Sequence, residues 1–181
     1  MKIAVFNPKG GVGKTSISHS LFIDLDYDYI TNDKSIVTKM HDRANLITGE
    51  LPLKKNTIYD LGGFITPFIS KLLKSVDLVV IPCINDYNSI IKAIEVLDFV
   101  GAKKSIVVAN MLDAKEDLQE ISEPILKRHK VKILPLKKSK AFKRGSESGN
   151  SLEYIYGETG LSKYNYKSVH KQYKKLLKEL R

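Results

Sequence analysis

The feature that most constrains the fold is a glycine-rich segment that directly follows a short apolar run. Residues 3–6 are Ile-Ala-Val-Phe, and residues 8–15 are Pro-Lys-Gly-Gly-Val-Gly-Lys-Thr. The apolar run predicts a buried strand, and the residues after Lys14 have the periodicity of a helix. A strand, a tight turn and a helix in this order begin a βαβ unit, so the sequence predicts a parallel sheet.

The same segment has the chemistry that holds a polyphosphate. Glycines allow backbone N–H groups to curve around anionic oxygens. A helix that begins near Lys14 adds the positive end of its dipole at the same place. Lys14 can reach the β- and γ-phosphates, and the Thr15 hydroxyl can ligate Mg²⁺. The predicted nucleotide-binding residues of this loop are Lys9, Gly10, Gly11, Val12, Gly13, Lys14, Thr15 and Ser16.

The loop departs from the common phosphate-loop pattern, because Pro8 stands where a glycine is expected and Lys9 precedes the double glycine. This K-G-G-x-G-K-[ST] form resembles the deviant loop of the ParA/MinD family of ATPases. The resemblance covers most of the chain, is most specific at 8–16, and is closest to the ParA branch. It implies ATP and Mg²⁺ as cofactors, and a Lys9 side chain that crosses a dimer interface to the partner's nucleotide.

Apolar runs alternate with helix-period segments along the chain, which predicts an α/β fold with a mainly parallel twisted sheet and helices on both faces. Together with the loop, this is the architecture of a P-loop NTPase, and we expect one domain over residues 1–181. The expected strands after the first are 27–31, 57–61, 77–84, 105–110 and 131–134. The expected helices after the first cover 66–75, 86–100, a segment that begins at Asp113 and includes Ile125, and 167–180, with Asp86 as an N-cap and Asp113 with Glu116 as a capping pair. Residues 34–56 receive no assignment, and 136–165 are predicted to be loop-rich with one short helical piece.

Two aspartates follow predicted strands. Asp60 lies near the end of strand 57–61 and precedes Gly62 and Gly63, where phosphate-loop NTPases place an aspartate that holds Mg²⁺. Thr15 and Asp60 are therefore the predicted metal residues, with a simple strand-end cap as the alternative for Asp60. The resemblance implies that Asp33 positions the attacking water. It is thin there, because Thr31 stands where the family has an aspartate, and a turn residue is the alternative.

Lys9, Lys14 and Asp33 are thus the candidate catalytic residues. Two further residues complete the nucleotide site by resemblance. Asn110 ends a predicted strand and is expected to pair with the adenine edge, and the backbone around Pro135 is expected to lie beside the ring. Ligands of open α/β sheets bind at such strand ends, although Asn110 could also be a turn residue.

The formal net charge of +10 concerns partners rather than fold. Sixteen of the 30 basic residues lie in the segments 127–144 and 163–181. We interpret one group as a non-specific DNA surface to which the last helix contributes, with a solvated basic surface as the alternative. The members of this group are Lys137, Lys138, Lys140, Lys143 and Arg144.

The resemblance to the ParA branch, together with the basic surface, implies a partition ATPase that dimerises when ATP is bound and hydrolyses it to ADP and phosphate. Two Lys9 side chains meeting across an interface would repel each other unless triphosphates supplied negative charge. The expected partners are a second copy of the chain, non-specific DNA and a ParB-like centromere-binding adaptor. A membrane partner is not expected, since the apolar stripe of the last helix is interpreted as packing on its own domain. The single cysteine, Cys83, fits a reduced cytoplasm, and we expect a cytoplasmic, nucleoid-associated protein.

Three alternatives stay open. A MinD-like membrane-associated positioning ATPase would use the last helix as an amphipathic anchor. An ATP-using synthase related to dethiobiotin synthetase would turn over ATP only with a small acid. A nucleotide-gated scaffold without hydrolysis would explain the poor match around Asp33.

Overall fold

The sheet is built from the apolar runs of the sequence. The computed structural model describes residues 1–47 and 53–181, and this part of the chain forms one sheet of seven parallel strands. The strands are β1 (Lys2–Phe6), β2 (Asp28–Thr31), β3 (Ala44–Leu46), β4 (Thr57–Leu61), β5 (Leu78–Cys83), β6 (Ser105–Leu112) and β7 (Lys132–Lys137). Their order across the sheet is β3-β2-β4-β1-β5-β6-β7. The strand that precedes the glycine-rich loop is therefore central.

Helices provide the crossovers that parallel pairing requires, except between β3 and β4, where the described residues contain none, and three more helices follow β7. The helices are α1 (Lys14–Asp24), α2 (Val37–Met40), α3 (Pro67–Ser75), α4 (Tyr87–Val100), α5 (Glu116–Leu126), α6 (Lys140–Ser148), α7 (Leu152–Gly157) and α8 (Gly160–Glu179). The Asp86 carboxylate accepts a hydrogen bond from the Ser89 N–H, which confirms the predicted cap of α4. Thr66 caps α3 in the same way, so that helix begins at Pro67.

The two faces of the sheet carry separate apolar cores. On β1, Ile3 and Val5 belong to the core beneath α1, α6, α7 and α8. Ala4 and Phe6 belong to the core on the other face, beneath α3, α4 and α5. Side chains of a strand alternate between faces, so an apolar run buried on both sides is the expected pattern of a central parallel strand. The predicted fold class, a parallel sheet with helices on both faces, is confirmed.

The prediction for residues 136–165 was wrong. The segment contains α6, α7 and the start of α8, and the last helix begins at Gly160 rather than at 167. These helices form because their few apolar residues reach the core: Ala141, Leu152 and Ile155 are at most 1% exposed. Tertiary burial has overridden a composition rich in glycine and lysine.

Two smaller predictions need correction. Glu116 does not form a capping pair with Asp113. The Asp117 carboxylate instead accepts the backbone N–H groups of Asp113 and Ala114. Pro135 lies inside β7 rather than after it. Within the unassigned stretch 34–56, the structure forms α2 and β3, while residues 48–52 lie outside the described residues.

The apolar stripe of α8 packs on the body of the protein, as interpreted from the sequence. Val169, Tyr173, Leu176 and Leu177 are at most 3% exposed. They join the core formed with α1 and α6. A search of residues 1–47 and 53–181 finds no helix with the length and hydropathy needed to cross a bilayer.

Candidate nucleotide-binding site

The carboxyl ends of the central strands bring the predicted site residues together. In the register of the sheet, Asp60 on β4 lies beside Val5 on β1 and beside Thr31 on β2. The glycine-rich loop leaves β1 directly after this level, and Asp33 lies two residues beyond the end of β2. Residues from three separate parts of the sequence therefore meet at one edge of the sheet, the position expected for a ligand in this class of fold.

The loop has a backbone that its glycines make possible. Gly11 and Gly13 have φ angles of +78° and +89°, in the left-handed region that disfavours side chains. Gly13 is the N-cap of α1, and its carbonyl accepts the N–H of Ile17. A Cβ at Gly13 would lie 2.4 Å from Nδ2 of Asn110, so this residue has no room for a side chain.

Asn110 braces the loop from β6. Its Nδ2 donates to the Val12 carbonyl at 2.8 Å, and its side chain is buried. The next residue, Met111, forms a bulge between β6 and β7 with a φ of +57°. The Asn110 side chain thus binds the backbone of the glycine-rich loop. Its pairing with adenine stays a prediction.

Lys14 lines the cleft, and its side chain folds back onto the glycine-rich loop. Its Nζ donates to the Lys9 carbonyl at 3.0 Å. Burial lowers the pKa of the Lys14 ammonium, while the nearby negative charges of Asp60 and Asp33 oppose that shift. The two predicted acidic residues and the loop lysine therefore share one electrostatic environment.

Asp60 is a buried carboxyl, with 4% of its surface exposed. Its Oδ2 accepts a hydrogen bond from the Tyr29 hydroxyl at 2.6 Å, and its Oδ1 accepts one from Ser18 Oγ at 3.2 Å. Burial raises the pKa of this carboxyl, and hydrogen bonds from Tyr29, Thr15 and Ser18 oppose the rise. The carboxylate and the Thr15 hydroxyl are hard oxygen donors side by side, a set that fits Mg²⁺.

Asp33 is exposed and faces the same cleft. Its Oδ2 lies 3.1 Å from the point where a Cβ on Gly62 would stand, so it is close to the backbone of the Gly62-Gly63 turn. The cleft has a volume of about 580 Å³. Its lining residues are Pro8, Gly10, Gly11, Gly13, Lys14, Thr15, Ser16, Asp33, Asp60, Gly62, Gly63 and Met111.

Some predicted residues do not line this cleft. Val12 is fully buried beneath the loop. Pro135 lies on β7 opposite Ala109, and its place beside an adenine ring stays a prediction. Lys9 is half-buried, and its backbone N–H donates to Asn7 Oδ1 at 2.9 Å. The interaction of Lys9 with a partner's nucleotide likewise stays a prediction.

Two asparagines that support the site were missed from the sequence. Asn7 is fully buried, and its Nδ2 donates to the Pro82 carbonyl at 2.8 Å, so it ties the start of the loop to β5. Asn32 binds both backbone groups of Gly62: its Oδ1 accepts the N–H at 2.8 Å and its Nδ2 donates to the carbonyl at 3.0 Å. Their only sequence signal is an amide directly after a predicted strand.

The five residues of the predicted DNA surface lie on β7 and around α6, at the carboxyl edge of the sheet. Three of them form ion pairs: Lys138 with Asp113 at 2.8 Å, Lys143 with Glu147 at 3.7 Å, and Arg144 with Glu158 at 2.6 Å. Lys137 and Lys140 line a shallow cleft together with Lys138, beside Ser139, Asn165 and Tyr166 of the α6–α8 region. The hydroxyl of Ser139 caps α6.

The fold and the loop together define a P-loop NTPase architecture. Comparison with solved structures shows which proteins of this architecture the chain resembles. Apo McdA from Cyanothece has a TM-score of 0.72 at 14% identity, over 98% of each chain. The septum site-determining protein MinD from Pyrococcus horikoshii, complexed with Mg-ADP, has a TM-score of 0.70 at 11% identity, over 99% of this chain and 95% of that one. A putative plasmid partition protein from Borrelia burgdorferi bound to AMPPNP has a TM-score of 0.59 at 16% identity, over 98% of each chain.

No family model and no curated protein matches the sequence. The structural neighbours are nevertheless ATPases of the McdA, MinD and ParA type. The resemblance to the ParA/MinD family that the loop indicates is therefore confirmed at the level of the fold.

Proposed function

We propose that this protein is a partition or positioning ATPase that binds Mg²⁺·ATP in the cleft between the glycine-rich loop and Asp60. The observation that carries the proposal is the convergence of Lys14, Thr15, Asp33 and Asp60 at the carboxyl edge of a ParA/MinD-type sheet. The neighbouring MinD and Borrelia structures, which hold Mg-ADP and AMPPNP, support the choice of nucleotide.

The residues of the chain divide the work of hydrolysis. Backbone N–H groups of the loop and the Lys14 ammonium bind the phosphates, so Lys14 exchanges its bond to the Lys9 carbonyl for one to phosphate. Thr15 and Asp60 would hold Mg²⁺, which supplies positive charge to the β- and γ-phosphates. Asp33 orients a water for attack on the γ-phosphorus. The water oxygen bonds to phosphorus as the bond to the ADP oxygen breaks, one water proton stays on the inorganic phosphate, and the other passes to solvent.

Dimerisation is the finer part of the proposal. Two loops that carry Lys9 can face each other closely only when bound triphosphates offset their charge. Hydrolysis removes part of that negative charge, so the dimer weakens and releases its partners. Non-specific DNA is the proposed surface partner, with a ParB-like adaptor that stimulates turnover.

Substitution of Lys9 tests the dimer. In Lys9→Ala, we expect affinity for an ATP analogue to stay within about threefold of the wild type, because Lys14 and the loop backbone are unchanged. The ATP-dependent dimer should be lost, as measured by sizing with ADP, ATP and a slowly hydrolysed analogue. Lys14→Ala is the control that should lose nucleotide binding itself. A Lys9→Ala protein that still dimerises with ATP would refute this role.

The alternative functions can be distinguished by further assays on the wild-type protein. Retention on DNA with ATP supports the partition activity, whereas sedimentation with anionic liposomes would favour a MinD-like membrane function. Turnover that requires a small carboxylic acid and ignores DNA would favour a synthase. ATP binding and dimerisation without phosphate release would favour a scaffold.

A further inference from the structure

A buried tyrosine hydroxyl is directed at the proposed metal-holding carboxylate. Tyr29 lies on β2 with none of its surface exposed, beside Ile58 of β4 in the sheet register. Its ring packs edge-on against Phe22, with centroids 5.6 Å apart. Its hydroxyl donates to Asp60 Oδ2 at 2.6 Å, the length of a hydrogen bond to an ionised acceptor.

The second oxygen of the same carboxylate also has a hydroxyl donor. Ser18, fully buried on α1, donates to Asp60 Oδ1 at 3.2 Å. The two donors come from different elements, one from a strand and one from a helix. Each oxygen of Asp60 is thus held from its own direction, and the plane of the carboxylate cannot rotate without breaking a hydrogen bond.

The placement of these donors decides which lone pairs remain for other ligands. A carboxylate oxygen offers two acceptor sites, so Tyr29 and Ser18 each occupy one and leave the others for Thr15 and the metal's water shell. Partners of this kind orient metal-holding groups in many sites, and their loss weakens metal affinity roughly 10–100-fold. A phenol in the apolar core of β2 also requires a hydrogen-bond partner, and here that partner is Asp60.

We propose that Tyr29, assisted by Ser18, is a positioning residue that orients the Asp60 carboxylate for the Mg²⁺·nucleotide complex. This inference rests on the proposed function of the cleft. It adds to that function a residue, Tyr29, that does not line the cleft. Tyr29 acts through Asp60 and touches neither nucleotide nor metal.

The test is the dependence of nucleotide affinity on Mg²⁺ in Tyr29→Phe. Binding of a fluorescent ADP analogue is measured in EDTA and across a Mg²⁺ titration. Affinity in EDTA should match the wild type, because the loop is intact. The Mg²⁺ concentration that gives half of the full gain in affinity should rise at least about tenfold, and excess Mg²⁺ should restore wild-type affinity. A purely structural role would lower the melting temperature and leave the Mg²⁺ midpoint unchanged.

Tyr173→Phe is a matched control. It removes another fully buried tyrosine hydroxyl, which donates to the Asp24 carboxylate at 2.9 Å near the far end of α1. Its Mg²⁺ midpoint should equal the wild-type value. If Tyr29→Phe does not fold, Ser18→Ala decides: a raised midpoint supports the proposal, and an unchanged one overturns it.

The experiment distinguishes failure of the proposed function from failure of the inference about Tyr29. A wild-type protein whose nucleotide affinity ignores Mg²⁺ would refute the proposed function itself. A wild-type protein that responds to Mg²⁺, together with a Tyr29→Phe variant of identical midpoint, would overturn this inference alone.

Discussion

At the scale of single residues, Gly13 is the position where the loop tolerates least change. Gly13→Ala combines a left-handed φ with a contact of 2.4 Å to Asn110, so we expect a loss of about 1–3 kcal/mol in the free energy of unfolding. Denaturant unfolding measures this. Gly10→Ala is the control, because no protein atom lies within 4 Å of its added Cβ.

The Gly13 prediction has an internal check. If the contact with Asn110 causes part of the loss, Gly13→Ala combined with Asn110→Ala should be less destabilised than the sum of the single variants. Strict additivity would mean that backbone strain alone accounts for the effect.

We expect His19 to make the free energy of unfolding depend on pH. It is buried, its Nε2 lies 3.0 Å from Nε2 of His41, and burial followed by the charge of His41 lowers the pKa of His19 to about 4. An unfolded histidine has a pKa of about 6.5, so the unfolded chain binds more protons between these values. The stabilisation from neutral His19 is therefore complete above pH 6.5 and is lost as pH falls towards 4.

We expect His19→Leu to remove this contribution. The difference in unfolding free energy between the wild type and the variant, measured by urea titration at pH 7, 5.5 and 4.5, should shift against the wild type as pH falls. A difference that stays constant across this range would show that His19 does not titrate with folding.

At the scale of elements, Asn32 connects the end of β2 to the Gly62-Gly63 turn after β4. A Gly62 N–H that turns towards the γ-phosphate of bound ATP would have to leave Asn32, so we expect Asn32 to compete with ATP but not with ADP. Asn32→Ala should raise the ratio of ATP to ADP affinity about two- to tenfold, the value of one neutral hydrogen bond.

Competitive titration with the two nucleotides measures this ratio. Asn150→Ala removes an amide that bonds Ser148 in the α6–α7 connection, and it should leave the ratio unchanged. A ratio that falls in Asn32→Ala would mean that the amide holds Gly62 in its ATP-binding position instead.

Periodicity and glycine chemistry predicted the elements around β1 and the loop, because local sequence dominates there. The same signals did not predict elements and residue roles that depend on contacts between distant parts of the sequence. In α6, Ala141 and Phe142 supply the buried apolar surface of a helix that is otherwise largely polar, so the helix exists only by packing on α1 and its neighbours. The roles of Asn32 and Tyr29 depend on strand register, and β2 and β4 are separated by β3 and the segment that follows it.

At the scale of the whole molecule, the basic surface predicts how DNA binding depends on salt. Lys137 and Lys140 lack an ion pair among the described residues, unlike Lys138 and Arg144, so they should contribute most to phosphate contact. Replacing both with alanine should reduce the slope of log K against log salt by about two per subunit. Filter binding from 50 to 200 mM salt measures it.

The control for this prediction is the Lys71→Ala/Lys103→Ala double variant. It changes the net charge equally on exposed parts of α3 and of the turn before β6. An equal reduction of the salt slope in both variants would mean that DNA binding depends only on the net charge of the protein and not on this surface.

The central place of β1 also has a consequence during synthesis. Its neighbours in the sheet are β4 and β5, and Lys2 pairs with Thr57 and Ile3 with Leu78. At roughly 5–20 residues per second, the ribosome makes the glycine-rich loop several seconds before β4 and β5 exist to pair with β1. A nucleotide bound in the proposed cleft therefore cannot assist folding until β4, which carries Asp60, has been made, and the apolar β1 has no sheet neighbour before then.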